Sequence, residues 1–125
     1  MQNIFIMPDP MAPNDPTAWI ADSINIYRND QGLCWKILDP TGGVTWAATP
    51  FEFSADPPWG GTTPQATPDP GGALPLYTAT GPGANMGNAP QRYTYTIFIV
   101  VPGHGVVPVN SNVPVDPDVW NQPQP

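Results

Sequence analysis

The clearest pattern along this chain is a two-residue alternation of apolar and polar positions, held within stretches that contain no proline. Ile20, Ile24 and Ile26 alternate with Ser23, Asn25 and Tyr27, and Leu33, Trp35 and Ile37 share a face opposite Lys36. Tyr93, Tyr95, Ile97 and Ile99 line one side of 92–101, while Phe98 and Val100 make its far end apolar on both sides. A period of two puts successive side chains on opposite faces of a strand, so each stretch predicts a β-strand, and the doubly apolar one a central strand. Gln2 to Met7 adds a short apolar strand, and Val44, Trp46 and Ala48 share a face before Phe51 and Phe53 bracket Glu52. Val106 to Val109 is expected to pair back on 92–101 across the turn Pro102, Gly103, His104, Gly105.

Prolines punctuate these strands. All 20 lie outside 17–39, 41–49 and 91–101, and a residue that cannot donate to a sheet ladder is confined to turns, edges and strand ends. Asn29 to Gly32 reads as the turn of a hairpin joining Trp19–Arg28 to Leu33–Leu38. Pro50 predicts a bend or an edge, as where a strand passes between the sheets of a sandwich. From 55 to 91 the composition changes to eight prolines, seven glycines and no basic residue, with one strand expected at 73–79 through Leu74, Leu76 and Tyr77. Loops of that length are uncommon in compact domains and tend to carry binding surfaces. The fold expected is an all-β, antiparallel β-sandwich of about seven strands with a long Pro/Gly-rich loop and extended Pro-rich termini. It divides into an N-terminal strand and Pro-rich segment at 1–18, the sandwich at 19–110 and an extended tail at 111–125.

At 125 residues the chain is long enough for one domain with a core that needs no disulfide. Its net charge of -7 sets three basic residues, Arg28, Lys36 and Arg92, against ten acids. That balance excludes the basic footprint of a nucleic-acid or anionic-membrane binder. Only 10% of residues are charged, against roughly 25% in ordinary soluble domains, which leaves a surface suited to contact with other protein. Met1 to Met7 has neither a basic flank nor a long apolar run, so no signal peptide or membrane insertion is expected and the default location is cytoplasmic.

Reactive side chains are few. Cys34 is the single cysteine and His104 the single histidine, and Ser23, Ser54 and Ser111 lie outside any Gly-x-Ser-x-Gly setting. Cys34 is expected to fill a strand position and His104 an exposed turn. Six of the ten acids, Asp9, Asp15, Asp39, Asp56, Asp69 and Asp116, directly precede proline, where a carboxylate serves as an acceptor for nearby backbone N–H groups. Asp116 and Asp118 have a spacing that lets two carboxylates meet one calcium ion, though without a third clustered acid. Glu52 is the only glutamate, so paired-carboxylate hydrolysis lacks a visible partner. The expectation is a protein that is not an enzyme and carries no cofactor.

Taken in order, Cys34-Trp35-Lys36, Val44-Thr45-Trp46, Pro50-Phe51-Glu52-Phe53, Tyr93-Thr94-Tyr95 and Val115-Asp116-Pro117-Asp118-Val119 resemble small bacterial sandwich domains of cupredoxin-like or immunoglobulin-like type. The resemblance covers about 19–120 and implies a sandwich fold and a non-enzymatic role. A blue-copper centre needs two imidazoles with a thiolate, and this chain has one histidine in all.

The aromatics remain. Trp35 and Trp46 are in strand phase and belong to the core. Trp59 stands behind Pro57 and Pro58 and ahead of two glycines, a setting that can present the ring to a partner or a sugar, and Trp120 lies among polar tail residues. Candidate binding residues are therefore Trp59, Pro57, Pro58, Tyr77 and Trp120. These features point to a non-catalytic structural or interaction subunit that binds other chains or copies of itself and can belong to a larger assembly. A carbohydrate-binding module using Trp59 and Tyr77 is the second reading, and a degenerate cupredoxin-like redox domain the third.

Overall fold

The computed structural model describes residues 2–21, 24–26, 32–39, 42–53, 64–72, 74–80, 91–109 and 118–121. They form ten strands: β1 (Gln2–Pro8), β2 (Trp19–Ala21), β3 (Ile24–Ile26), β4 (Gly32–Ile37), β5 (Thr45–Phe53), β6 (Gln65–Thr67), β7 (Leu76–Thr80), β8 (Gln91–Val101), β9 (Gly105–Val109) and β10 (Asp118–Asn121). Among the described residues there is no helix. The strands make two sheets, one ordered β2-β1-β4-β7-β6, the other β3-β10-β8-β5 with β9 added to β8. The all-β sandwich expected from the alternation is the observed fold.

Inward positions of both sheets supply the core. Ile4 and Ile6 of β1, Leu33 and Trp35 of β4, and Tyr95, Ile97 and Ile99 of β8 are buried in one cluster with Phe51, Val107 and Val109. Burying a large apolar side chain contributes about 1.5–3 kcal/mol. The alternating residues of β4 and β8 thus drive the two sheets together. A buried side-chain bridge spans them: the Trp35 indole N–H donates to the Tyr95 hydroxyl at 3.0 Å.

Pairing departs from the expectation in one place. The hairpin of Trp19–Arg28 with Leu33–Leu38 does not form, because β2 pairs with β1, β3 pairs with β10, and β4 is flanked by β1 and β7. A period of two specifies which face of a strand is buried and leaves its neighbour open. Here β1 takes the edge of β4 that the hairpin would have used, and does so in parallel. Six of the eight pairings are antiparallel, the exceptions being β1 with β4 and β10 with β3. Both involve strands from the ends of the chain. β1 and β10 are interior strands of their sheets, so the end segments are built into the sandwich.

β8 is the longest strand at 11 residues and is partnered on both edges, by β5 on one and by β10 and β9 on the other. Pro50 sits in β5, at the edge of its sheet, where the register shifts between Trp46 and Phe51 so that residues 47–50 stand opposite Phe98 alone. A bulge at an edge is where a strand tolerates proline. β5 bends there without leaving its sheet. In the 55–91 stretch the expected strand appears as β7, and β6, which the sequence pattern did not signal, pairs beside it.

Carboxylates before proline hold the turns. Asp9 accepts the Met11 N–H at 2.9 Å, Asp15 the Thr17 N–H at 3.0 Å and hydroxyl at 2.7 Å, and Asp69 the Gly71 N–H at 3.2 Å. Asp39 reaches further, to the Val44 N–H at 2.8 Å. Backbone bonds from Ala12 to Asp9, Asp15 to Ala12 and Ala18 to Asp15 chain the first two turns, and Asp9 N–H closes the loop on the Ala18 carbonyl at 2.9 Å. The Pro-rich segment 9–18 is therefore a stitched loop.

Candidate functional site

Strand geometry dictates what the sandwich shows to its surroundings. In β1 the side chains that alternate with buried Ile4 and Ile6 point outward, and they are Phe5 and Met7, both only partly covered. Lys36 of β4 stands in register with Phe5 on the same outer surface, flanked by Leu38, which is 38% exposed. Ile20, opposite Met7 on β2, lies on the same side of the first sheet but is buried. The second sheet repeats the pattern. Phe98 and Val100 of β8 face outward beside Pro108 and Val106 of β9, and Val106 is 61% exposed. An ordinary solvent-facing sheet surface is polar at these positions.

On the first sheet, Lys36 Nζ meets Asp69 Oδ2 at 3.5 Å. The pair borders a cleft of about 260 Å³ with Asp39, Gly43, Thr45 and Leu74 also in its wall. A Cβ at Gly72 would lie 2.5 Å from Asp69 Oδ2, so a side chain there would displace that carboxylate. Trp46 closes the neighbouring side of the sandwich. Its indole N–H donates to the Pro75 carbonyl at 2.9 Å, and its ring lies 4.7 Å edge-on from Tyr77 and 6.0 Å stacked from Phe51.

That arrangement locates the candidate residues. Tyr77 is half-buried between Trp46 and Phe51, a packing role that takes up ring surface a sugar would need. Trp120 lies in β10, in register with Arg92 and Asn25. Trp59, Pro57 and Pro58 lie outside the described residues, as does Asp116, while Asp118 begins β10. Trp35 is fully buried, as its strand phase requires.

Cys34 is buried on the outer side of β4, and that burial, reinforced by the charge of Asp69 and opposed by Lys36, raises its thiol pKa. A thiol held protonated is a weak nucleophile. His104 is exposed in the β8–β9 turn, donating its backbone N–H to the Val101 carbonyl at 2.9 Å, with Gly103 at φ 81. Its charge is felt by Asp15, whereas Cys34 feels Asp69 and Lys36. The fold thus gives the thiol and the imidazole different neighbours. Among the described residues, no three His, Cys, Asp or Glu side chains gather in metal-binding range.

The outward apolar residues had a signal in the sequence that alternation passes over. Ile4-Phe5-Ile6-Met7 and Ile97-Phe98-Ile99-Val100 are unbroken apolar runs, the composition of strands covered on both faces. No protein-family model, curated protein or solved structure matches this chain.

Proposed function

We propose that this protein is a non-catalytic interaction subunit that docks other protein chains on the outer faces of its two sheets. The observation that carries this reading is the doubly apolar character of β1 and β8, whose inner faces fill the core while Phe5, Met7, Phe98 and Val100 look outward. Contiguous apolar surface on a folded domain is commonly an interaction site. The sheet edges are poorer attachment points: β6 is three residues long between Pro64 and Pro68, and β5 is bulged at Pro50. Short, proline-flanked and bulged edges are how sheets resist strand addition. The low charge density lowers the desolvation cost of burying such faces.

A photo-reactive residue placed at Leu38, and separately at Val106, tests the assignment in cells of the source organism. The expected result is a discrete protein adduct from each position and none from the same residue at Asn14 on the exposed Pro-rich loop. Adducts from all three positions alike, or from none, would overturn it.

A further inference from the structure

One end of the sandwich carries a cavity that the docking faces do not use. It measures about 390 Å³ and is walled by Pro13, Trp19, Val44 and Val101, with Asp15 and Asp39 the two ionisable side chains in its lining. That volume falls within the ~300–1,000 Å³ of small-molecule sites, which are mostly apolar with a few placed polar groups. The walls are held in advance of any ligand. The chained turns of 9–18 fix Pro13 and Asp15, the Asp39 carboxylate is tied to Val44 N–H, and the buried Trp19 donates its indole N–H to the Pro16 carbonyl at 3.1 Å.

Both ionisable side chains in its lining are acidic. No lysine or arginine lines it among the described residues. Both Thr17 donors fall on Asp15 Oδ1, so its second oxygen keeps acceptor capacity. Those bonds also hold the Asp15 carboxyl below its ordinary pKa, which keeps it anionic at neutral pH. Apolar walls beside two carboxylates favour a cation with an apolar body and disfavour anions. His104, the one cationic candidate near Asp15, is exposed in the adjoining turn.

We infer that this cavity binds a small organic ammonium ion, its apolar body against the exposed Pro13, Pro16 and Pro102 and its charged head at Asp15 and Asp39. Nothing in this inference depends on the docking faces. It is tested by titrating the intact, isotope-labelled protein with hexylammonium, hexanol and hexanoate and following amide and indole signals. Hexylammonium is expected to shift the signals of Trp19 indole N–H, Val44, Gly42 and Val101, and to bind about fivefold or more tightly than hexanol, the scale of a partly exposed ion pair. Hexanoate is expected not to bind. Asp15→Asn, which retains an oxygen for Thr17, and Asp39→Asn, which retains one for Val44, should each weaken hexylammonium about three- to fivefold. Unfolding midpoints of the variants near that of the parent would show that the fold survives. Equal binding of hexylammonium and hexanol, no shifts up to tens of millimolar, shifts confined to other surfaces, or unchanged affinity in both variants would each overturn the inference.

Discussion

Tyr95→Phe probes a buried bond between the two sheets. The tyrosine is 2% exposed, Trp35 is fully buried, and the indole N–H of one meets the hydroxyl of the other at 3.0 Å across 60 residues of sequence. Phenylalanine keeps the ring, and with it the edge-on contact to Trp35 at 6.1 Å and the stacking on Phe51 at 6.5 Å. What disappears is the acceptor facing a buried donor. Removing one partner of a buried hydrogen bond costs about 1–3 kcal/mol, more than the ~0.5–1.5 kcal/mol net value of the bond itself, because the remaining group stays desolvated. For a chain of this size, that lowers the thermal midpoint by roughly 4 °C per kcal/mol. Urea unfolding followed by tryptophan fluorescence would measure it, and a cycle with Trp35→Phe should show a coupling of about 1 kcal/mol. A Tyr95→Phe variant within about 0.5 kcal/mol of the parent, with an additive cycle, would refute the bridge.

Three smaller tests follow. Gly72→Ala should push the Asp69 carboxylate off Lys36 and cost up to about 1 kcal/mol, the usual ceiling for an exposed pair, read as a lower urea midpoint. The raised thiol pKa of Cys34 and its burial predict alkylation by iodoacetamide at least tenfold slower than that of free cysteine near neutral pH, accelerating on addition of urea. For Asp15 the folded pKa is depressed below its ordinary 3.8. The turn's contribution to stability is therefore complete above the ordinary carboxylate range and is lost as pH falls through the folded value. The stability gap between parent and Asp15→Asn should accordingly narrow on acidification, and a gap independent of pH would contradict the assignment.

The fold was legible where alternation and proline agreed. β4, β8 and β9 are the strands that Leu33–Ile37, Tyr93–Ile99 and Val106–Val109 predict, and Pro50 marks an edge strand as its missing N–H requires. Pairing partners were not legible. The run through Ile20, Ile24 and Ile26 has one unbroken rhythm, yet β2 and β3 serve different sheets, since two strands with the same buried face can be separated by long-range partners that leave no local mark. The first strand was legible in the apolar run Gln2 to Met7, whereas β10 was hidden by its proline-rich neighbours. At the candidate surface, Asp9, Asp15, Asp39 and Asp69 acted as the turn acceptors that Asp-Pro predicts. The second apolar face of β8, through Phe98 and Val100, was legible, but not what meets it, because an apolar run looks the same whether its second face meets a second layer or a partner.

The size of the species in gently opened cells of the source organism tests the docking role most directly. The account predicts that the protein sediments well above its 13.4 kDa chain mass, and that Leu38→Asp with Val106→Asp, both at exposed positions, returns it to the size of a single folded chain. A parent that sediments as a lone 13.4 kDa chain, or a doubly charged variant that stays in the large species, would contradict it.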